Sequence, residues 1–395
     1  MSSSPQDQVR RVETAFSRIV GHPPTGVWSA PGRVNLIGEH TDYNAGLCLP
    51  IALPHRTYAA AAGRDDGLLS VTSLAEGLGG SPTVVPVADI SPENPGGWAG
   101  YVAGMVWALR EQGYAVGGLD IVLTSSVPIG AGLSSSAALS CSVGAAVSGV
   151  YSLDLLDHEE ARKVLVRAAI RAENDIVGAP TGGMDQTVAL LAQERHALRL
   201  DFRSDEVTPV PLDLEAAGLA LLVCDTRASH VLADGQYAER RATCERAASV
   251  LGVSSLREVL PDELPGSLAR LDEVSARRVR HVVTENARVE ACVEALVRED
   301  FGEVGELFVE SHASLRDDYE VSCPELDAVV AEALAAGALG ARMTGGGFGG
   351  SAIALLPREL VDAATSAIEA RFEREGWRAP ECFAVTPAGG AYRDL

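Results

Sequence analysis

Apolar and polar positions divide the chain into strand-like and helix-like stretches. In the first half, the pattern predicts strands at 49–61, 68–72 and 196–202 and a buried strand at 119–124. Apolar residues at helical spacing predict helices at 98–112, from residue 137 onward, and at 159–174. In the second half the same patterns predict a strand at 219–224, helix at 236–251 and over 256–298, and a final strand at 382–385. Helices and strands therefore alternate along most of the chain.

The length of 395 residues is sufficient for two domains. We place the boundary near residue 205, where the strand at 219–224 begins a second unit, which gives domains 1–205 and 206–395. Within the first unit, Asp157 and Glu160 have the spacing of a capping box and predict the start of the helix at 159–174.

Charge and composition exclude several classes of protein. The formal net charge of −22 argues against nucleic acid, which requires clustered basic residues, and against anionic membranes. The polar N-terminus contains no apolar signal segment, and the apolar stretch 137–150 is too short to span a bilayer. A soluble, cytoplasmic protein is the simplest interpretation.

Two residue types restrict the chemistry further. Seven scattered cysteines with no CxxC pair predict neither a zinc site nor a disulfide framework. Lys163 is the only lysine, and it lies in a helical run away from any glycine-rich loop. Neither a P-loop nor a protein kinase site, each of which needs its own lysine, fits this chain.

The stretch 30–43, APGRVNLIGEHTDY, concentrates polar and charged residues around two glycines. So many polar groups cannot all point into a core, and their spacing breaks both helical and strand periodicity. We therefore predict a strand that runs into a loop. Carboxylate, imidazole and guanidinium groups in one small loop suit a ligand rich in hydroxyl groups.

A second loop, residues 125–136, connects the strand at 119–124 to the helix from residue 137. A strand, a Gly-rich loop and a helix N-terminus together form an anion site, because free N–H groups and the helix dipole face the ligand. Gly130 and Gly132 permit close backbone approach, and Ser134 to Ser136 add hydroxyl groups. Taken alone, this phosphate loop is equally well a flexible connection with a serine cap.

Two acidic residues near the following helices are candidates for chemistry. Glu173 continues the helix face of Leu165 and Ala169, where a buried carboxylate requires a partner such as a divalent cation. The alternative is that Glu173 lies in solvent at the helix end. Asp185 precedes the apolar run TVALLA, so taken alone it is best explained as a helix cap.

Three segments resemble the signature motifs of galactokinases, in the wider family of galactokinase, homoserine kinase, mevalonate kinase and phosphomevalonate kinase. They are APGRVNLIGEHTDY at 30–43, GAGLSSSAAL at 130–139 and RMTGGGFGG at 342–350, in the family's order. The segment at 173–186, EN followed by GAPTGGMDQ, also resembles the galactokinase pattern. The resemblance implies an α+β fold of two lobes with the active site in the cleft between them.

The resemblance also assigns expected roles to individual residues. Asp185 and Arg33 are expected to be catalytic. The sugar-binding residues implied are Glu39, His40, Thr41, Asp42, Gly183 and Tyr237. The ATP-binding residues implied are Gly130, Ala131, Gly132, Leu133, Ser134, Ser135, Ser136, Ser73 and Trp98. Ser136 and Glu173 are the implied Mg²⁺ ligands. Gly100 occupies a place where relatives often carry Asn, which affects the nucleotide side of the site.

The implied reaction is phosphorylation of the anomeric hydroxyl of α-D-galactose by ATP, with Mg²⁺, to give α-D-galactose 1-phosphate and ADP. This is the first committed step of galactose catabolism. The expected partners are galactose and ATP, and the expected state is a monomer or a weak homodimer.

Three alternatives remain beside this reaction. One is a kinase for a related sugar, N-acetylgalactosamine or arabinose. Another is a non-catalytic galactose sensor, which is disfavoured because the Ser-rich loop, Glu173 and Asp185 are all present. The third is an isoprenoid-pathway kinase, which is disfavoured because its acidic substrate would need basic partners, whereas the EHTDY loop is acidic and polar.

Overall fold

A computed structural model describes residues 4–75, 81–92, 94–128, 130–179, 181–228 and 233–395. Its helices are α1 Pro5–Val20, α2 Trp98–Glu111, α3 Ser135–Val150, α4 Glu159–Arg171, α5 Met184–Leu191, α6 Ala233–Leu251, α7 Leu264–Leu268, α8 Glu273–Val297, α9 Phe301–Asp317, α10 Pro324–Ala335 and α11 Val361–Glu375. Its strands are β1 Gly26–Asn35, β2 Leu47–Cys48, β3 Pro50–Arg64, β4 Leu68–Ser73, β5 Thr83–Pro86, β6 Gly118–Ser125, β7 His196–Asp201, β8 Glu206–Pro211, β9 Leu219–Asp225, β10 Gly340–Thr344, β11 Ser351–Pro357, β12 Glu381–Val385 and β13 Tyr392–Arg393. The fold is the predicted α+β class.

The described strands form three sheets. The largest has the order β13-β1-β3-β6-β4-β5, with β4 and β6 parallel and its other pairs antiparallel. A four-stranded sheet has the order β10-β11-β9-β12, and a three-stranded sheet has the order β2-β7-β8. The second sheet is built from residues after 218, whereas the first combines early strands with the C-terminal β13. The domain boundary near residue 205 stays a prediction.

The predicted helix at 159–174 differs from the structure at both ends. His158, not Asp157, is the N-cap, and its ring accepts a hydrogen bond from the Ala161 amide, so the predicted capping box is wrong. The α-helix ends at Arg171 and continues as one π-helical turn, Ala172–Val177. Glu173 therefore lies in the wider turn, although it is buried as the apolar stripe predicted. Such turns are frequent at functional sites.

Helix α2 packs closely on this π-helical turn. A Cβ atom added at Gly104 would lie 2.8 Å from Cβ of Ala172, so only glycine permits this approach. At Gly100, an added Cβ would lie 3.1 Å from the Pro95 carbonyl oxygen. A larger side chain at position 100 would therefore require Pro95 to shift by a few tenths of an ångström.

Cys224 and Cys382 form a disulfide, although the scattered cysteines predicted no disulfide framework. The two residues face each other across the antiparallel pair β9 and β12. The sequence did not predict this pairing, because the two cysteines are 158 residues apart and only the strand register brings them together. Within the described residues, no helix combines the length and apolar character needed to cross a bilayer.

A shared apolar core joins the two halves beneath the cleft. It combines Val34 and Ile37 at the end of β1 with Leu133 of the phosphate loop, Val289 of α8 and Ile353 of β11. All five are buried. Burial of this cluster fixes the first motif, the phosphate loop and the C-terminal half against one another.

The C-terminal segment is held against the first sheet by a buried arginine. Arg56 of β3 donates to the carbonyl oxygens of Gly389 and Gly390 at 2.9 and 2.7 Å. Its guanidinium also lies 4.2 Å from the ring centroid of Tyr392 in β13. The last strand thus completes the edge of the sheet that carries the first motif.

Helix α9 and strand β10, which leads into the third motif, pack backbone against backbone. A Cβ atom added at Gly305 would overlap the Leu339 carbonyl, so we expect Gly305→Ala to destabilise the protein by about 3 kcal/mol. Gly302→Ala in the same helix is the matched control, because its added Cβ meets only Asp300 Oδ1 at 3.4 Å. Urea unfolding of both variants measures the difference, and equal midpoints would contradict this packing.

Candidate active site

The first motif ends in a tightly folded loop, residues 39–43, called the EHTDY loop below. Gly38 precedes it with φ of 94°, and a Cβ atom there would overlap the Leu47 carbonyl oxygen. Thr41 is fully buried, with Oγ1 2.9 Å from Gly38 O and 2.7 Å from Leu47 O. The Thr41 side chain therefore closes the loop and is not presented to a ligand, in contrast to its expected sugar-binding role.

Glu39 connects the EHTDY loop to the third motif. Its carboxylate accepts hydrogen bonds from Asn35 Nδ2 at 2.6 Å and from the Gly345 amide at 2.8 Å. Arg342 Nη1 lies 3.5 Å from the same carboxylate and donates to Leu36 O at 2.8 Å. With 2% of its surface exposed, Glu39 mainly fixes the loop, and a ligand can reach little of it.

Arg342 and Glu285 form a buried centre behind the loop. Glu285 of α8 accepts from the Gly38 amide at 3.0 Å, from Ser311 Oγ at 2.6 Å and from Arg288 Nε at 2.8 Å. Burial raises the pKa of Glu285, but Arg288, His281 and Arg342 outweigh it and lower the pKa to about 2. Glu285 is therefore ionised at neutral pH and anchors the loop to α8.

His40 and Asp42 follow Glu39 in the EHTDY loop, where His40 is buried and Asp42 is half-buried. Burial, together with the neighbouring His281, lowers the pKa of His40 to about 3, so its ring is neutral. Burial, Asp185 and Glu39 raise the pKa of Asp42 to about 6. A neutral imidazole can donate one hydrogen bond and accept another, and a carboxylate accepts hydrogen bonds. The two groups together can therefore bind hydroxyl groups that act as donors or as acceptors. The ring of Tyr237, on α6, lies 5.4 Å from that of His40.

Gly182 packs directly against Asp42, and Gly183 packs against Ile170. A Cβ atom at Gly182 would overlap Asp42 Oδ2, and one at Gly183 would lie 2.6 Å from Ile170 Cδ1. Gly183 is the N-cap of α5 with φ of 95°. Pro180, in the same predicted motif, lies outside the described residues. Gly182, which contacts Asp42, was not singled out from the sequence, although its place before Gly183 could have suggested it.

Arg33, Asp185 and Ser134 form the central hydrogen-bonded group of the site. Arg33 Nη2 lies 2.8 Å from Asp185 Oδ1, and Ser134 Oγ donates to Asp185 Oδ2 at 2.5 Å. Strand β1 changes register between Pro31 and Arg33, and a Cβ atom at Gly32 would lie 2.6 Å from Leu133 O. This irregularity lets the phosphate loop lie against β1 and directs Arg33 towards it.

The phosphate loop surrounds the N-terminus of α3. Gly130, Gly132 and Ser134 have φ of 80°, 73° and 60°, and Arg33 Nη1 donates to Gly132 O at 2.6 Å. Ala131 is fixed from the C-terminal half, because Ser351 Oγ donates to its carbonyl oxygen at 2.7 Å. Leu133 is buried and its carbonyl accepts from the Arg33 amide at 3.1 Å. Ile129 lies outside the described residues.

Glu173 and Ser136 face each other at the start of α3. Ser136 Oγ is 3.4 Å from Glu173 Oε1, and Gln186 Nε2 donates to Glu173 Oε2 at 2.5 Å. Burial and the nearby Asp185 raise the pKa of Glu173 to about 7. Gln186 was not predicted from the sequence.

This pair fits a divalent cation. A buried carboxylate beside a hydroxyl is a hard oxygen donor set, and a cation would relieve the cost of ionising Glu173. Among the described residues, no group of three acidic, His or Cys side chains could hold a metal alone. A cation here would therefore need further ligands from a bound phosphate or from water.

An apolar cavity of about 250 Å³ opens beside the phosphate loop. It brings together Ser73 of β4, Trp98 and Tyr101 of α2, and Ser135 and Ser136 of α3. Its position and its aromatic lining suit a flat ring attached to phosphates. The structure thus brings the predicted residues together, and it shows that Thr41 and Glu39 chiefly support the EHTDY loop.

The buried carboxylate of Glu173 should make the metal-free protein sensitive to pH. Because its folded-state pKa is raised, the folded protein loses stability relative to the unfolded chain as pH rises from about 4.5 to about 7. We expect Glu173→Gln, which retains the Gln186 hydrogen bond, to be more stable than wild type at pH 8 by on the order of 2 kcal/mol.

At pH 5, the two proteins should unfold at nearly the same temperature. Thermal unfolding in EDTA at pH 5 and pH 8 tests this, with Glu160→Gln as the control for an exposed glutamate on α4. A stability difference that is equal at both pH values would contradict burial of an ionisable Glu173.

Three family models match the chain. They are the galactokinase galactose-binding signature over residues 14–63, the GHMP kinases N terminal domain over 100–193 and the GHMP kinases C terminal model over 292–374. GHMP denotes the wider family of galactokinase, homoserine kinase, mevalonate kinase and phosphomevalonate kinase. The Arg33, Asp185 and phosphate-loop residues described above fall within the first two matched ranges.

Curated relatives cover nearly the whole chain. The galactokinase of Streptomyces coelicolor is 50% identical over 96% of this chain and 96% of its own length. That of Mycobacterium tuberculosis is 45% identical, with coverage of 92% and 98%. The crystal structure of Lactococcus lactis galactokinase complexed with galactose is 31% identical, with a TM-score of 0.91 and coverage of 97% and 99%. A mevalonate kinase structure, 17% identical with a TM-score of 0.67, shares the fold. By motif, sequence and structure, this chain belongs to the galactokinase family.

Proposed function

We propose that this protein transfers the γ-phosphoryl group of ATP to the anomeric hydroxyl of α-D-galactose, with Mg²⁺, giving α-D-galactose 1-phosphate and ADP. The observation that carries the proposal is the Arg33–Asp185–Ser134 group, which joins the EHTDY loop's strand to the phosphate loop through contacts of 2.8 and 2.5 Å. Membership of the galactokinase family supports this reaction. The Lactococcus relative, similar over nearly the whole chain, binds galactose in its crystal structure.

The sugar would bind between the EHTDY loop, Gly183 and Tyr237. Asp42 is ionised above pH 6 and accepts hydrogen bonds from sugar hydroxyls, while the neutral His40 ring donates or accepts one. The half-buried ring of Tyr237 forms a wall of the pocket. The close approach of Gly182 to Asp42 Oδ2 limits the positions that this carboxylate can take.

Asp185 would receive the proton of the reacting hydroxyl. Both of its oxygens already accept hydrogen bonds from Arg33 and Ser134, so the geometry favours orienting the hydroxyl and accepting its proton late. Arg33 also offsets the negative charge that develops on the transferring phosphoryl group. Because the residues are held from β1, α3 and α5, they are preorganised for in-line transfer.

ATP would occupy the cavity beside Trp98, with its phosphates along residues 130–136. The N-terminus of α3 and the backbone N–H groups of the glycine-rich loop favour anionic oxygens there. Glu173 and Ser136 would hold Mg²⁺, together with phosphate oxygens. When bound, Mg²⁺ neutralises charge on the phosphate groups. We further propose a cytoplasmic monomer or weak homodimer.

An ADP-release assay across a sugar panel tests the reaction and its specificity. With ATP and Mg²⁺, we expect turnover on galactose and little on glucose, N-acetylgalactosamine, arabinose or mevalonate. Galactose binding without turnover on any of these compounds would instead indicate a sugar sensor. Preferred turnover on another sugar would contradict the proposed substrate.

Removing the charge of Asp185 should mainly affect the chemical step. We expect Asp185→Asn to lower kcat by about 100-fold or more, because the amide cannot accept the hydroxyl proton. The galactose KM should change little. Asp317→Asn, at an exposed ion pair with Arg316, is the control and should be unaffected. Near-normal turnover of Asp185→Asn would exclude both the proton-accepting and the orienting role.

Gly182→Ala should perturb the sugar pocket without affecting the nucleotide. The added methyl group displaces the Asp42 carboxylate, so we expect the galactose KM to rise about tenfold or more, with the ATP KM unchanged. Gly266→Ala is the control, because its added methyl meets no atom within 4 Å. An unchanged galactose KM would show that Asp42 does not touch the sugar.

A further inference from the structure

A chain of hydrogen bonds runs from His40 into the C-terminal half of the protein. His40 Nδ1 is 2.8 Å from Tyr43 Oη, and Tyr43 Oη is 2.8 Å from Tyr319 Oη. Tyr319 Oη is in turn 3.1 Å from Cys244 Sγ. Tyr43 lies in the EHTDY loop, Cys244 on α6, and Tyr319 just beyond the end of α9. His40 and Tyr319, which are 279 positions apart in the sequence, thus share one polar chain.

The chain is enclosed by protein. Tyr319 is fully buried and Cys244 nearly so. The ring of Tyr319 lies 4.8 Å from that of His40 and 4.5 Å from that of His281. Arg240 Nε donates to the Tyr319 carbonyl oxygen at 2.8 Å, which fixes its backbone. Burial raises the pKa of Tyr43, Tyr319 and Cys244, so all three groups remain protonated at neutral pH.

His40 depends on such support. Its backbone has φ of 61°, a left-handed conformation that is uncommon for residues other than glycine. Asn44 Nδ2 donates to its carbonyl oxygen at 2.9 Å and holds that conformation. In the described part of the chain, His40 Nε2 is enclosed, and the backbone of Gly346 in the third motif lies close to the ring. Nδ1, which bonds to Tyr43, is therefore the nitrogen that sets the orientation of the ring.

A histidine that offers one ring nitrogen to a ligand is oriented through its other nitrogen. In a chain of hydroxyl groups, each donor fixes the direction of the next hydrogen bond, so the ring position and the proton on His40 are set jointly. Removing any hydroxyl from the chain leaves the remaining groups free to reorient.

We propose that Tyr319, acting through Tyr43, is a positioning residue that holds the His40 ring in place at the sugar site. This inference rests on the proposed function and adds a residue from outside the recognised motifs to galactose binding. Tyr319 lies 276 residues beyond Tyr43 in the segment RDDYEVSC, so the EHTDY loop is completed by the C-terminal half.

Tyr319→Phe tests the proposal, because it keeps the ring that packs on His40 and His281 but removes the hydroxyl. We expect the galactose KM to rise about five- to tenfold, the equivalent of one hydrogen bond. The ATP KM should be unchanged and kcat should fall less than the galactose KM rises. Tyr151→Phe is the matched control, since it removes a hydroxyl that donates to Gly118 O at 2.6 Å in the first half of the chain.

A double-mutant cycle separates positioning from general destabilisation. Tyr43→Phe alone should raise the galactose KM by a similar factor, and Tyr43→Phe/Tyr319→Phe should be little worse than either single variant, because one break already interrupts the chain. Additive effects, or parallel losses in the ATP KM and thermal stability, would overturn the proposal. Tyr43 is only half-buried, so its variant keeps the test available if Tyr319→Phe fails to fold.

Turnover of the wild-type protein distinguishes failure of the proposed function from failure of the role proposed for Tyr319. If the wild-type protein does not phosphorylate galactose, the proposed function fails and with it this role of Tyr319. If wild type is active and both Phe variants retain its galactose KM, only the role of Tyr319 is overturned.

Discussion

The buried guanidinium of Arg342 holds the active site together. It is fully enclosed, donates to Leu36 O at 2.8 Å, and lies between the carboxylates of Glu39 and Glu285. Breaking such a buried pair typically costs about 3–5 kcal/mol, because a charge is left without a partner. The first motif, the third motif and α8 are therefore fixed relative to one another. This arrangement sets the positions of the ligand-facing side chains.

The ligand-facing side of the site carries an excess of negative charge. Burial and neighbouring carboxylates raise the pKa of Asp42 to about 6 and that of Glu173 to about 7, while Arg33 is the cation among them. Polar ligands relieve this arrangement, since sugar hydroxyls donate to Asp42 and a divalent cation compensates Glu173. In the unliganded protein, the ionised forms of Asp42 and Glu173 are therefore unfavourable. Binding of the sugar and the cation offsets this cost.

The sequence pattern predicted those structural features that depend on residues close together in the chain. The strands at 68–72 and 119–124, the helix at 98–112 and the positions of Arg33 and Asp185 in their motifs all follow from sequence, and the strands and helix are confirmed. The π-helical turn at Glu173 and the supporting roles of Glu285, Arg342 and Tyr319 depend on contacts across hundreds of residues. Periodicity contains no information about such pairs, and it does not show that the Thr41 hydroxyl bonds to Gly38 O and Leu47 O and closes the EHTDY loop.

The return of β13 to the first sheet has a consequence for synthesis on the ribosome. The edge of β1 that pairs with Tyr392 and Arg393 stays open until these two residues have left the exit tunnel. Arg56, whose donors bond to Gly389 and Gly390, likewise lacks these acceptors during translation. The first sheet, most of which is synthesised early, is therefore completed late. A nascent chain arrested before residue 389 would expose the unpaired edge of β1.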